Sequence, residues 1–126
     1  MKLNNPSLIP VVSLILVLII FVLPSNLIIS NTQGLEQQRV NVTILFDSTN
    51  LGDKAYEPNP IKIAPGSSVL WTNDDRVAHS VTAIEGGFDS GILDAGELFE
   101  YTFNEVGGYD YYCMLHPSMV GRVEVR

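Results

Sequence analysis

The sequence predicts an all-β domain, an antiparallel sandwich or barrel of six or seven short strands, preceded by an N-terminal hydrophobic helix. Three observations carry this expectation. From residue 39 onward, apolar and polar residues alternate in runs of strand length. Gly and Pro punctuate those runs at short intervals, and no apolar period of 3.6 residues competes with them. Ahead of them lies a run from Leu8 to Leu23 without a single charge.

Met1 to Asn5 is a polar start with one Lys, and the apolar stretch that follows runs through Ile29, about the length of a bilayer-spanning helix. It has no polar face, which argues against a helix packed into the domain. Residues 1–30 therefore read as a cleaved secretory signal or a retained membrane anchor. No Ala-x-Ala cleavage site is present, which tips the balance toward the anchor. Lys2 is the only charge in this stretch and stays inside, so the rest of the chain is expected outside the cytoplasm, in a periplasm or on the outer face of the cell membrane. Residues 31–38 form a polar linker, and residues 39–126 form the folded domain.

Within that domain Val40, Val42, Ile44 and Phe46 share one face of the first strand. The stretch from Asp47 to Pro60 is too long for a plain loop and is expected to be irregular. Ile61 to Ile63 ends at the turn Ala64-Pro65-Gly66, and Ser68 to Thr72 ends at Asn73-Asp74-Asp75. His79 to Ile84 is a further strand, stopped by Gly86-Gly87. Leu98 to Phe103 alternates, Gly107-Gly108 turns the chain into Tyr109 to Cys113, and Val120 to Val125 is the last strand.

The chain has 126 residues, the length of one domain. Every acidic residue follows Leu35, so residues 31–126 carry six basic and fourteen acidic residues, net −8. Such a surface repels phosphate backbones, which excludes nucleic-acid binding. The pair Asp74-Asp75 reads as part of this solvated acidic surface. A single Cys permits no internal disulfide, no Cys-x-x-Cys redox pair and no four-cysteine zinc site.

An exported chain with one free thiol needs a reason for keeping it reduced. His116 comes three residues after Cys113, and Met119 three after that. The loop between two strands can turn all three side chains toward one point. The other histidine, His79, begins a strand that sheet pairing can bring alongside. Thiolate, imidazole and thioether are a soft to borderline donor set that suits copper, and His79, Cys113 and His116 in a plane with Met119 as a weak axial donor match a blue-copper centre. Met114, beside Cys113, points away from the same centre. Neighbours Met114, Leu115, Pro117 and Val120 would exclude water from it.

The segment from Tyr56-Glu57-Pro58 through Asn73-Asp74, with Ala78-His79-Ser80-Val81-Thr82, resembles the first half of small cupredoxins of the plastocyanin and amicyanin type. Phe88-Asp89-Ser90-Gly91-Ile92-Leu93, Gly96, Tyr101-Thr102-Phe103 and Gly108-Tyr109-Asp110-Tyr111-Tyr112-Cys113 resemble the second half. Two residues on either side of His116 before the next ligand make the short, amicyanin-like loop; plastocyanin-type loops are longer between His and Met. The resemblance implies a Greek-key β-sandwich and one mononuclear type 1 copper. It also implies a monomer that exchanges single electrons with a protein donor and a protein acceptor. By the same analogy His116 shows its ring edge within an apolar patch flanked by Leu115 and Pro117. Ser80 stands where the family often has Asn, and the backbone amide there typically donates to the Cys sulfur.

Catalysis on a substrate is not expected. By the same resemblance, coupling to a catalytic copper cluster uses histidines beside the Cys, where this chain has Tyr112 and Met114. No Gly-x-Ser-x-Gly element supports a hydrolase. The alternative function is copper storage or delivery without a redox partner, which uses much the same ligands.

Overall fold

The computed structural model describes residues 37–126. The expected signal or anchor at residues 1–30 and most of the linker lie outside the described residues. The element order is β1 (Arg39–Ile44), β2 (Tyr56–Glu57), β3 (Ile61–Ile63), β4 (Ser67–Asn73), β5 (Thr82–Ala83), β6 (Leu98–Phe103), β7 (Gly107–Tyr112) and β8 (Val120–Val125). Two short 3-10 turns, Ser48–Asn50 and Gly52–Lys54, occupy the stretch expected to be irregular.

The strands form two four-stranded sheets, β2-β1-β4-β6 and β3-β8-β7-β5, the expected Greek-key sandwich. The pairing is mixed rather than wholly antiparallel. β1 runs parallel to β4, with Val42 opposite Trp71, and β3 runs parallel to β8, with Ile61 opposite Val123. In each pair the chain passes through the other sheet before returning, so parallel neighbours arise without a helix crossover.

Alternation places the core on the inward faces of both sheets, Val42 and Ile44 among it. Val42 and Ile44 of β1, Val69 and Trp71 of β4, and Phe103 of β6 meet Tyr111 of β7 and Val123 and Val125 of β8, all of them buried. Trp71 is the centre of this layer, stacked between Phe88 (5.9 Å between centroids) and Phe99 (5.7 Å) and edge-on to Tyr111 (5.5 Å). Full burial of side chains this large contributes about 1.5–3 kcal/mol each.

Three strand expectations are corrected. Phe46 lies beyond the end of β1, exposed under the Arg76 guanidinium at 4.5 Å rather than in the core. Gly107 and Gly108 do not turn the chain; they are the first residues of β7, opposite Val125 and Glu124. The run from His79 to Ile84 is not a continuous strand. His79 makes one isolated bridge to Leu93, and only Thr82 and Ala83 pair with β7. The reason is local: the Ser80 N–H goes to the Cys113 sulfur and the Val81 N–H to Ser90 Oγ, so neither donor is left for a ladder.

Candidate metal centre

Asn73, the last residue of β4, organises the turn that delivers the first histidine. Its buried amide Nδ2 donates to the carbonyls of Val77 and Leu93, both at 2.9 Å, and its Oδ1 accepts the Asp75 N–H at 3.0 Å. His79 is then clamped to Leu93 by reciprocal backbone bonds of 3.0 and 2.8 Å. Cys113 directly follows β7, and the loop from it to β8 is closed by its own backbone. The Met119 N–H donates to the His116 carbonyl (2.9 Å) and the Cys113 N–H to the Met119 carbonyl (3.1 Å).

This framework gathers the residues that the spacing singled out. Cys113 Sγ lies 3.7 Å from His79 Nδ1 and 3.8 Å from His116 Nδ1, and the two Nδ1 atoms are 3.2 Å apart. All three donor atoms lie within 4.8 Å of one another. Cys113 and His79 are fully buried, and His116 is half-exposed. Met119 is fully buried, with Sδ 3.9 Å from Ser48 Oγ, while Met114 is exposed, as its position beside Cys113 predicts. One thiol and two imidazole nitrogens converging in a water-poor pocket can hold a single soft or borderline cation. The donor chemistry fits copper.

The surroundings support the thiol and the loop that follows it. The Ser80 N–H donates to Cys113 Sγ at 3.3 Å, while its carbonyl accepts the Tyr56 hydroxyl at 2.8 Å. Ser80 is thus held through both its backbone N–H and its carbonyl, and the amide role expected despite Ser in place of Asn is present. Ser80 Oγ accepts the Met114 N–H at 2.8 Å, which ties the ligand loop to the His79 segment.

Two polar residues at the site were not legible as such in the sequence. Asp75, expected on the solvated surface, is 5% exposed and lies with Oδ2 2.8 Å from His79 Nε2. Burial pushes its carboxyl up, but hydrogen bonds from His79 and from the backbone N–H groups of Asp47, Arg76 and Ser48 outweigh it and hold the carboxyl well below the usual carboxylate range. Ser48, in the first 3-10 turn, is fully buried with Oγ 3.3 Å from His79 Nε2 and 3.4 Å from Asp75 Oδ2. A carboxylate four residues before a ligand histidine was the available signal, and the Asn-Asp-Asp turn masked it.

A two-sheet Greek-key sandwich with a buried thiol between two imidazoles defines a class of copper proteins. The family model for copper binding proteins of the plastocyanin/azurin family matches residues 42–126, and the chain belongs to that family. Its relatives include amicyanin-alpha of Methylorubrum extorquens, 32% identical over 75 residues, covering 56% of this chain and 63% of that protein. Amicyanin of Paracoccus versutus is 34% identical over 56% of this chain and 57% of its own length, so the chain spans roughly 60% of these amicyanins. Plastocyanin of Capsella bursa-pastoris is 33% identical over 89 residues, 59% of this chain and 90% of that protein. Among solved structures, a purple cupredoxin from Nitrosopumilus maritimus superposes with a TM-score of 0.64 at 35% identity, covering 69% of this chain and 99% of that one. A copper-containing nitrite reductase from Thermus scotoductus shares the fold at 24% identity over 22% of its length (TM-score 0.59).

Proposed function

We propose that the protein is an electron carrier built on one type 1 copper. In this reading His79, Cys113 and His116 would hold the copper as its strong ligands, with Met119 as a weaker fourth donor. The observation that carries this reading is the convergence of Cys113 Sγ and two imidazole Nδ1 atoms within 4.8 Å, already assembled by the fold. Bound there, copper supplies a one-electron Cu(I)/Cu(II) couple.

The chain's own residues do the rest. The β4–β5 connection and the 113–119 loop fix the donors independently of the metal, so little rearrangement accompanies a change in charge. The Ser80 N–H stabilises the thiolate of Cys113. Met114, Leu115 and Pro117 are exposed around the half-exposed His116, which makes this face the port for single electrons. The partners are protein donors and acceptors, and the site works outside the cytoplasm, as a monomer. It performs no substrate chemistry, because both histidines of the chain are committed to this one cluster. Storage or delivery is the weaker reading, since Cys113, His79 and Met119 are sealed from solvent rather than open to exchange.

The protein loaded with Cu(II) is expected to show intense thiolate-to-copper absorption that bleaches with a mild reductant and returns on reoxidation. Cys113→Ser is expected to abolish the band. A colourless Cu(II) complex, or a band that survives in that variant, overturns the assignment.

A further inference from the structure

We infer that Asp75, with Ser48, is a positioning residue that locks His79 by its far nitrogen and draws the copper potential downward. This rests on the type 1 copper reading above. His79 turns Nδ1 toward Cys113 and His116, which leaves Nε2 to carry the ring proton. That proton goes to Asp75 Oδ2 at 2.8 Å. A carboxylate in this place fixes the tautomer, orients the ring and makes the imidazole a stronger donor.

The carboxylate is itself held in place. Oδ1 accepts the N–H groups of Asp47 (3.1 Å) and Arg76 (2.7 Å), and Oδ2 accepts the Ser48 N–H (3.2 Å) besides His79. Among the described residues His79 is its one ion-pair partner; the Arg76 guanidinium lies over Phe46 instead. A full negative charge thus sits buried behind a ligand ring, where it favours the more positive oxidation state of whatever the ring binds.

Ser48 extends the effect to the fourth donor. Its hydroxyl has one proton and faces Asp75 Oδ2, His79 Nε2 and Met119 Sδ. With Asp75 anionic the hydroxyl is drawn to the carboxylate, leaving the thioether lone pairs free. In Asp75→Asn the hydroxyl is released toward the sulfur and weakens that donor. Both consequences of the charge lower the potential.

The test compares Asp75→Asn with Asp74→Asn, an exposed neighbour that removes the same formal charge. Both are measured in the copper-loaded full chain. Asp75→Asn is expected to raise the reduction potential and to lower Cu(II) affinity about 10-fold or more, with Cu(I) affinity less affected; Asp74→Asn is expected to change neither. Ser48→Ala is expected to alter the electron-paramagnetic signature of the site while keeping copper bound. If Asp75→Asn lowers the melting temperature but has the potential of Asp74→Asn, Asp75 is merely structural and the inference is overturned. Should Asp75→Asn not fold, nitrogen-15 spectra of the Cu(I)-loaded wild-type protein decide. A slowly exchanging proton on His79 Nε2 supports the inference, and its absence overturns it. A wild-type protein with no thiolate-to-copper band refutes the type 1 reading instead, so the two failures are distinct.

Discussion

The backbone N–H of Ser80 points at the sulfur of Cys113 from 3.3 Å, while the Ser80 hydroxyl accepts the N–H of Met114 at 2.8 Å. One residue beside the first histidine therefore supports both the thiol and the loop that runs on to His116 and Met119. Ser80→Ala keeps the amide but strands a backbone donor in a part-buried position, at a cost of about 1–3 kcal/mol. The expected outcome is a lower denaturation midpoint with the thiolate-to-copper band retained. Loss of the band would place the side chain, and not the amide, in control of the sulfur.

Met119→Leu tests the proposed fourth donor. Leu has nearly the volume of Met, so the fully buried site loses less than about 1.5 kcal/mol of stability. His79, Cys113 and His116 are untouched, so copper stays bound. Removing the thioether takes electron density from the more positive state, and the potential is expected to rise in voltammetry. Complete loss of copper would show that Met119 does more than cap the site.

Much of the site was legible because its parts sit in rigid sequence relations. Three residues from Cys113 to His116 leave a short loop few ways to arrange itself, and alternation put Val42 and Ile44 on one face of the first strand, the face that is buried. Asp75 was not legible, because Asn-Asp-Asp looks like any solvated turn until Asn73 is seen to draw the turn inward through the Val77 and Leu93 carbonyls. The broken strand at residues 79–84 was hidden for a related reason. Its apolar pattern says strand, but its donors are taken by a sulfur and a serine on distant segments. Parallel pairing of β1 with β4 depends on which sheet each strand enters, and periodicity carries no information about that.

Gly121 marks a close approach rather than a turn. It stands opposite Tyr111 in the β7–β8 register, and an added Cβ would fall within the Tyr111 ring. That ring is fully buried and packs edge-on to Tyr56 at 4.9 Å, so it has no free space to retreat into. Gly121→Ala is expected to destabilise the fold by about 1–3 kcal/mol through overpacking. Urea unfolding measures this, and a wild-type midpoint would show that the ring can move.

Tyr111 and Tyr56 also predict the behaviour at high pH. Burial pushes both phenols well above their ordinary value, Tyr56 further helped by the nearby Cys113 and Tyr111. The folded chain therefore holds these protons more tightly than the unfolded chain. The stability this provides is complete below about pH 10 and is lost as the pH rises above it. Tyr111 differs from Tyr56 in its hydroxyl, which is buried beside the Trp71 indole N–H without a well-formed hydrogen bond among the described residues, whereas that of Tyr56 donates to the Ser80 carbonyl. Tyr111→Phe removes an unsatisfied polar atom, so at neutral pH it is expected to leave stability within about 1 kcal/mol of wild type or to raise it. Above pH 10 it is expected to lose stability less steeply. Urea midpoints at pH 7 and pH 11 for both proteins check this; equal alkaline losses would mean that Tyr111 ionises as readily folded as unfolded.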